Sequence, residues 1–556
     1  MTRTSTTAHP SGRPARRPER QSERQPAWQS ERQPAWQSER QPARQPERRP
    51  APSPARLLRA VCALGAAAAL ALTTTQSAQA DPHRGPGTER VSSGIGGSQP
   101  DGASFAGGLS ADGRYAVFTS SATNLVPGDT NGKSDVFVRD LWSGRTERVD
   151  TGPDGAQANG DSFEAAISGN GRYVAFSSGA TNLVPGANLG FEDVYVHDRW
   201  TGRTTLVSVG QDPDRPGNQA PGRPHGRTPD TPQGRPASGT PQTDRLSGHP
   251  SLSRDGRYIA FQSNRTDLAP GTVTWQGGNI YVHDLWTGGN SLVSIGADGK
   301  EANGSSASPV ISADGGSVAF VSKATNLTAP DQPGALSPEA AAELTAEAGR
   351  ESDEQFFRDS FRADARPRIL KPRLYPLYVR DLRAEETRVA STDDKGGARG
   401  ADYPSLGPDG RYVVYSALVQ HGDSGWDRHF EVYLRDLEEG TETLVSAGLP
   451  GTKTTGDSSD GRLTADGRWL YFDSTAENLV PGDTNGVSDV FRRDLRTGRT
   501  ERVSLSDDGS QSPGASFGPY VDAHGTTAVF SSEDGTLTPG DTNTATDVFL
   551  RRSTRR

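Results

Sequence analysis

Residues 126–149 read VPGDTNGKSDVFVRDLWSGRTERV, and residues 480–503 read VPGDTNGVSDVFRRDLRTGRTERV. The two stretches are nearly identical although they begin 354 positions apart in the chain. A recurrence of this kind indicates a repeat architecture, in which each copy is one supersecondary unit that packs on its neighbours.

A tight turn between two apolar segments sets the period of the repeat. It appears in SADGRYAVF at 110, SGNGRYVAF at 168, SRDGRYIAF at 253, SADGGSVAF at 312, GPDGRYVVY at 407, TADGRWLYF at 464 and VDAHGTTAVF at 521. The turn glycines are Gly113, Gly171, Gly256, Gly315, Gly410, Gly467 and Gly525, at intervals of 58, 85, 59, 95, 57 and 58 residues. Four intervals therefore agree, and two contain insertions.

Each unit predicts four short antiparallel strands, since Asp-Gly and Asn-Gly supply the backbone angles of a tight hairpin. Such sheets bury both faces when they stack radially, which gives a β-propeller. Six units are complete, and the seventh ends at DVFLRR without its fourth strand, whereas GTERVSSG at 87–94 precedes the first unit. We therefore predict an all-β, seven-bladed propeller whose last blade is closed by the N-terminal strand, with Arg90–Ser92 beside Val548–Leu550.

The segments LSADGRYAVFTS and SDVFVRDLWSGRTERV resemble the TolB-like, WD-like propeller repeats of exported bacterial proteins. The resemblance covers about residues 87–552 and implies the fold. TolB itself has six blades behind a separate N-terminal domain, so its role in envelope assembly does not transfer to a chain with seven repeats.

Two segments before the repeats and two insertions complete the predicted organisation. Residues 1–55 are low in apolar residues and contain an eight-residue repeat, which predicts disorder. Residues 56–80 have the pattern of a secretory signal ending in AQA, and 81–556 form the propeller. Residues 211–245 are rich in Pro and Gly and predict a mobile loop, while 331–373 predict a helical insertion in blade four, begun by Ser337 and Pro338.

Charge and cysteine content narrow the functional classes. Removing residues 1–80, which carry a net +8, from a chain of net −9 leaves −17. An acidic protein of this kind is a poor candidate for binding nucleic acid. The one cysteine, Cys62, lies inside the predicted signal. We expect a secreted, extracellular or cell-wall-associated protein with no stable membrane insertion after signal cleavage.

Acidic loops recur between the second and third strands. Asp and Asn two and four residues apart resemble a shortened calcium loop, but the same residues shape turns through side-chain to backbone hydrogen bonds. The pattern favours turn chemistry and leaves calcium as a candidate cofactor. The candidate metal ligands are Asp129, Asn131, Asp135, Asp483, Asn485, Asp489, Asp541, Asn543 and Asp547.

Other motifs are too repetitive, or in the wrong context, to indicate catalysis. The aspartate of VRDL or VHD recurs in six units and predicts hairpin capping. His197 and His283 occupy a neighbouring slot and are predicted to face solvent. Ser516 lies in GASFG, but a nucleophile elbow needs a strand followed by a helix.

The inner strands carry the candidate ligand-binding residues, because propellers bind at their axial openings. The aromatic side chains there either pack between blades or stack on a ligand. The candidates are Phe105, Phe163, Glu164, Asp402, Tyr403, Asp457, Asp460 and Phe517.

We predict a secreted, non-enzymatic propeller scaffold that binds a protein, peptide or glycan at one rim of the channel. The alternative is a carbohydrate-active lyase or glycosidase with its site at the channel mouth. Whether the chain is an enzyme is open at this point, and non-enzymatic binding is favoured.

Overall fold

Seven four-stranded antiparallel sheets form the protein, as the repeats predict. The computed structural model describes residues 87–553 except 187–190, 211–244, 272, 275–276, 331–334, 349–351, 353–354, 356–374, 393–396 and 421–427. The predicted segments 1–55 and 56–80, nearly all of the loop 211–245 and much of the insertion 331–373 lie outside the described residues.

Blades one to four contain these elements in chain order. Blade one has β2 (Ser104–Leu109), β3 (Tyr115–Ser120), β4 (Asp135–Asp140) and β5 (Thr146–Arg148). Blade two has β6 (Ser162–Ile167), β7 (Tyr173–Ser178), β8 (Asp193–Asp198) and β9 (Arg203–Leu206). Blade three has β10 (Ser247–Leu252), β11 (Tyr258–Ser263), β12 (Asn279–Asp284) and β13 (Gly289–Leu292). Blade four has β14 (Ser306–Ile311), β15 (Ser317–Ser322), the helix α1 (Pro338–Ala348), β16 (Leu377–Asp381) and β17 (Glu386–Val389).

Blades five to seven follow the same plan. Blade five has β18 (Ala401–Leu406), β19 (Tyr412–Gln420), β20 (Arg428–Asp436) and β21 (Glu442–Leu444). Blade six has β22 (Ser458–Leu463), β23 (Trp469–Ser474), β24 (Asp489–Asp494) and β25 (Thr500–Arg502). Blade seven has β26 (Ser516–Val521), β27 (Thr527–Ser532), β28 (Asp547–Arg552) and the N-terminal strand β1 (Gly87–Arg90). Two short 3₁₀ turns cover Ile95–Gly97 and Pro153–Gly155.

The N-terminal strand closes the ring as predicted. Strand β1 pairs antiparallel with β28, so that Glu89 lies opposite Leu550 and Arg90 opposite Phe549. The Val91 N–H donates to the Val548 carbonyl at 2.6 Å. The last blade therefore joins the two ends of the described chain and has no unpaired outer edge on β28.

An aromatic pair between the second and third strands fills the middle of each blade. The ring centroids lie 5.7–6.3 Å apart, a separation typical of favourable aromatic contact. The pairs are Phe118–Phe137, Phe176–Tyr195, Phe261–Tyr281, Phe320–Tyr378, Tyr415–Tyr433, Phe472–Phe491 and Phe530–Phe549.

The turn glycine serves two purposes, which explains its recurrence. Gly171 has φ of 69°, in the left-handed region that favours glycine. A Cβ there would also lie only 2.4 Å from Cδ2 of Tyr115 in the preceding blade. The same close approach occurs between Gly256 and Tyr173. The Asp-Gly turn is thus both a hairpin turn and an interblade contact.

The helix α1 begins where the sequence predicts. The Ser337 hydroxyl accepts a hydrogen bond from the Ala340 N–H at 3.1 Å, and Pro338 is the first helical residue. Leu344 is buried against the core cluster of blade four. Within the described ranges, no helix combines the length and apolarity needed to cross a bilayer.

Candidate functional site

The first strands of the seven sheets contact one another in a closed cycle and therefore surround the axis. Each of them contains a register shift near its third residue. We call the seven third positions the axial ring. Its members are Ala106, Glu164, His249, Ser308, Tyr403, Asp460 and Gly518.

Five members of the axial ring are non-glycine residues with left-handed backbone angles. Their φ values lie between 51° and 54°, and the sixth left-handed member is Gly518. Such angles cost about 1–3 kcal/mol per residue and persist only where the surroundings enforce them. The residues with this strain are Glu164, His249, Ser308, Tyr403 and Asp460. The third inner-strand position therefore has the same strained backbone in most blades but a different side chain in each.

Side chains from the preceding blade hold several of these strained peptides. The His249 N–H donates to Glu164 Oε2 at 2.7 Å, and the Ser308 N–H donates to Gln262 Oε1 at 2.9 Å. The Gly518 N–H donates to Asp473 Oδ1 at 3.3 Å. N–H groups that the bulges remove from strand pairing thus find acceptors on the preceding blade.

Glu164 and His249 form an ion-pair-type contact on the axis. His249 Nε2 lies 3.3 Å from Glu164 Oε1, and the Ser177 hydroxyl donates to Glu164 Oε2 at 2.7 Å. The Glu164 carboxyl side chain is 3% exposed and the His249 side chain 15%. The carboxylate is therefore fixed through Oε2 by two hydrogen bonds, and the imidazole beside its Oε1 remains partly exposed.

Blades five and six place acidic groups on the ring. Asp402 is buried and accepts a hydrogen bond from the Tyr403 N–H at 3.0 Å. Asp460 Oδ1 lies 3.6 Å from Arg462 Nη2. Burial raises the pKa of the nearby Asp473, which also accepts a hydrogen bond from the Ser459 hydroxyl.

Asp457 lies outside this arrangement. It precedes β22, is exposed, and accepts a hydrogen bond from the Phe430 N–H at 2.8 Å. It therefore caps a neighbouring strand of blade five. The sequence predicted it as an inner-strand residue because the start of β22 could not be placed to within one position.

Three phenylalanines lie on the blades that follow blade six around the ring. Phe517, Phe105 and Phe163 occupy the second inner-strand position of blades seven, one and two, which are consecutive around the closed propeller. All three are half-buried. We call them the phenylalanine arc. Together with the aspartates of blades five and six, the arc gives the channel an apolar side and an acidic side.

The turn end of the channel holds a cavity of about 220 Å³ lined by residues of all seven blades. Six of its lining residues are the large apolar side chains that end six of the inner strands: Leu109, Leu252, Ile311, Leu406, Leu463 and Val521. Backbone hydrogen bonds link several neighbouring turns, such as Ala111 N–H to the Gly169 carbonyl at 2.9 Å. We call this space the turn-end cavity. It is a narrow end to the channel, lined by apolar side chains together with Arg254 and Asp522.

The candidate calcium loops contain an arginine between their carboxylates. Arg148 Nη1 lies 3.1 Å from Asp129 Oδ1 and 3.2 Å from Asp135 Oδ2. The same contacts link Arg502 to Asp483 and Asp489, and Arg90 to Asp541 and Asp547. In each loop the asparagine amide donates a hydrogen bond, for example from Asn131 Nδ2 to Asp135 Oδ1 at 2.9 Å.

This donor set does not fit a calcium ion. A guanidinium takes the position of the cation, and calcium needs six to eight oxygen ligands. Burial raises the pKa of Asp129, Asp483 and Asp489, and raises that of Asp547 to about 6. Within the described ranges, no group of three or more His, Cys, Asp or Glu side chains has the arrangement of a metal site. Calcium binding therefore stays a prediction.

The repeated aspartate of VRDL caps its hairpin, as predicted. Asp140 Oδ1 accepts a hydrogen bond from the Trp142 N–H at 2.9 Å. The prediction that His197 and His283 face solvent is wrong, since both are buried. Their Nδ1 atoms contact Thr204 and Asn290 of the neighbouring strand, and burial lowers the pKa of both imidazoles.

Comparisons with known proteins leave the family of this chain open. No family model matches the sequence, and no curated protein matches it. The propeller domain of the Trilobed protease from Pyrococcus furiosus is 8% identical, with a TM-score of 0.41 over 81% of this chain and 95% of that one. A putative TolB from Agrobacterium tumefaciens is 14% identical, with a TM-score of 0.31 over 62% of this chain and 80% of that one.

A prolyl endopeptidase is 12% identical, with a TM-score of 0.39 over 78% of this chain and 48% of that one. The chain therefore spans about half the length of that enzyme. The prediction of a non-enzymatic scaffold, with a carbohydrate-active enzyme as its alternative, is contradicted by these comparisons, because the matched structures include propellers of peptidases. At such identities and TM-scores the likeness assigns no family and no activity to this chain.

Proposed function

We propose that the chain is a hydrolase that cleaves peptide bonds in its axial channel, with Glu164 and His249 as the acid–base pair. The observation that carries this proposal is the contact between Glu164 Oε1 and His249 Nε2, at 3.3 Å, on a ring of strained residues. Strain and an oriented imidazole in a concave site are features that accompany catalysis.

The pair would act on a water molecule. The second imidazole nitrogen of His249 takes a proton from the water, whose oxygen forms a bond to the carbonyl carbon of the substrate. Glu164 stabilises the imidazolium that results, and this role requires the fixed orientation that Ser177 and the His249 peptide give its carboxylate. The imidazolium then returns the proton to the leaving amine as the C–N bond breaks.

The two sides of the channel favour peptides as the substrate class. The phenylalanine arc offers apolar surface to apolar side chains, and the aspartates of blades five and six attract a cationic side chain or an amino terminus. A neutral glycan would use neither side fully. If residues 56–80 act as a leader, the reaction takes place outside the cytoplasm, which agrees with the predicted partners and localisation.

The test is a hydrolysis assay of the full-length protein on a library of internally quenched fluorescent peptides and on casein. We expect His249→Asn to lower kcat by about 10²–10⁴-fold, the range of general acid–base catalysis, and Glu164→Gln to act in the same direction. Circular dichroism and thermal melts establish that each variant is folded.

Ser308→Ala is the matched control, because Ser308 is the next member of the axial ring and has the same strained backbone. A folded Ser308→Ala variant should keep wild-type activity, since water rather than this hydroxyl attacks the carbonyl. Hydrolysis that survives unchanged in His249→Asn, or no hydrolysis of any peptide by the wild-type protein, would refute the proposal.

A further inference from the structure

Three tryptophans stand exposed on the outer part of the face that carries the turn-end cavity. Trp142, Trp200 and Trp286 are 49%, 72% and 71% exposed. Each follows a third strand, β4, β8 or β12, and its hairpin is tied to the Asp-Gly turn region, as in the hydrogen bond from the Leu141 N–H to the Arg114 carbonyl at 2.8 Å. Large apolar side chains in water indicate an interaction surface when they are organised.

Each of these tryptophans is held by the same four-residue arrangement. In blade two, the guanidinium of Arg172 lies 4.5 Å from the Trp200 ring centroid and 4.7 Å from that of Tyr173. Asp198 accepts two hydrogen bonds from that guanidinium, at 2.8 and 2.7 Å, and one from the Trp200 N–H at 3.1 Å. The indole is therefore supported on one side, and its other side is available to a ligand.

Blades one and three repeat the arrangement with little change. Arg114 lies 4.7 Å from the Trp142 ring, and Arg257 lies 4.1 Å from the Trp286 ring. Their guanidiniums pair with Asp140 and Asp284 at 2.8 Å. The positive charge beneath each indole is thus neutralised by an aspartate, so the surface is aromatic without a net charge from these pairs.

The three platforms are consecutive, and the remaining blades lack them. The equivalent positions of blades four, five and six hold Arg383, Glu438 and Arg496, whose N–H groups bond the repeated aspartate in the same way. The turn is therefore structurally complete without tryptophan. The aromatic residue in blades one to three is an addition that the fold does not require.

We propose that Trp142, Trp200 and Trp286 form a docking surface for a neutral polysaccharide. The rotation of the propeller sets equivalent indoles at regular intervals along an arc, and a polymer of pyranose rings presents flat apolar faces at regular intervals. Each indole is followed in the same hairpin by a hydroxyl residue and a glycine (Ser143, Gly144, Thr201, Gly202, Thr287 and Gly288), and these small polar residues suit a polar chain better than a continuous apolar segment of a protein. The site is distinct from the axial ring and holds whether or not peptide hydrolysis occurs.

The test measures co-sedimentation of the full-length protein with insoluble cellulose, chitin and starch, and quenching of tryptophan fluorescence by soluble oligosaccharides of the polymer that binds. We expect each single substitution, Trp142→Ala, Trp200→Ala or Trp286→Ala, to weaken binding by about tenfold, which corresponds to the loss of about 1.4 kcal/mol from one aromatic contact. The triple substitution should abolish binding.

The control replaces Arg383 and Arg496 with alanine, which changes the same turn in blades four and six and should leave binding intact. Peptide hydrolysis by the triple variant should also equal that of the wild type, so failure here is distinguishable from failure of the proposed function. Binding that persists in a folded triple variant, or a wild-type protein that binds none of the polymers, would overturn the proposal. So would a triple variant that changes only the oligomeric state, since the surface would then be an interface between copies of the chain.

Discussion

Blades one and six contain almost the same loop, and the buried cluster beneath it differs at the second residue after the fourth strand. In both blades an arginine lies between two buried aspartates, Arg148 with Asp129 and Asp135, and Arg502 with Asp483 and Asp489. Blade six then continues with Ser504, whose hydroxyl donates to Asp489 Oδ1 at 2.6 Å. Blade one continues with Asp150, a buried carboxyl group that accepts a hydrogen bond from the Val136 N–H at 3.1 Å.

The comparison separates what the repeat needs from what one blade adds. The repeat needs a cation between the two aspartates and a hydrogen-bond acceptor for the N–H of the third strand. Both Ser504 and Asp150 supply that acceptor, since the Val490 N–H donates to Ser504 at 3.1 Å. Asp150 also brings a third carboxyl group into a buried cluster with one arginine. Burial, and then the charge of Asp135, raise the pKa of Asp150 well above its usual value.

The largest effect in this comparison should come from removing the shared arginine. Arg502→Met keeps the length of the side chain and leaves Asp483 and Asp489 buried without their cation, so we expect a loss of about 3–5 kcal/mol in the free energy of unfolding at neutral pH. The loss should be smaller near pH 5, because protonation then removes the uncompensated charges. Urea unfolding at the two pH values measures this difference.

Arg499→Met is the control for the arginine substitution. The Arg499 side chain is 68% exposed and pairs with Glu501 at the surface, so its removal should change stability by less than about 0.5 kcal/mol. Equal losses in the two variants would show that the buried arginine has no special role in the loop.

An exchange of the one differing residue should give the next largest effect. Asp150→Ser should raise the free energy of unfolding by about 1–3 kcal/mol at neutral pH, and Ser504→Asp should lower it by a similar amount. The folded-state pKa of Asp150 lies above its unfolded value near 3.9. The contribution of protonated Asp150 to the free energy of unfolding is therefore fully present below the unfolded-state pKa, and it is lost as pH rises through the folded-state pKa.

The gain from Asp150→Ser must accordingly vanish in acid. Chemical unfolding of wild type and variant from about pH 4 to pH 8 should give stability curves that converge at the acid end, because the protonated Asp150 bears no charge there. Curves that stay parallel over this range would mean that Asp150 does not titrate in the folded protein differently from the unfolded one.

The same contrast between repeated and unrepeated residues explains how far the sequence predicts the structure. Seven turn glycines, four of whose intervals agree, are sufficient for the propeller, because every one of them has a positive φ, and Gly171, Gly256 and Gly315 also lie against a tyrosine of the preceding blade. The closing strand could be predicted because its sequence, TERVS, is the fourth strand that the last repeat lacks. These features depend on local chemistry that recurs.

The axial ring could be predicted only in part, since its geometry depends on a bulge that shifts the register of the inner strands. Glu164, Tyr403 and Asp460 were found as carboxylates or aromatics that break the repeat. His249 was missed because the third inner-strand position holds a different residue in each repeat and so has no recurring pattern to mark it. A comparison of the third inner-strand position across all seven repeats would have found it. The exposed tryptophans recur visibly in WSGR, WTGR and WTGG, whereas their exposure and their arginine supports required the structure.

The smallest effect should come from adding calcium, which tests the same loops with a ligand instead of a substitution. An arginine already neutralises the loops of blades one, six and seven. The melting temperature of the wild-type protein should therefore differ by less than about 1 °C between excess calcium and EDTA, since a ligand stabilises a protein only by binding its folded state. In Arg502→Met the carboxylates of Asp483 and Asp489 lack a cation, so calcium should restore part of the stability that this variant has lost. No rise in the melting temperature of Arg502→Met would show that the carboxylates left without their arginine do not bind calcium. An equal rise in both proteins would show that the ion binds elsewhere.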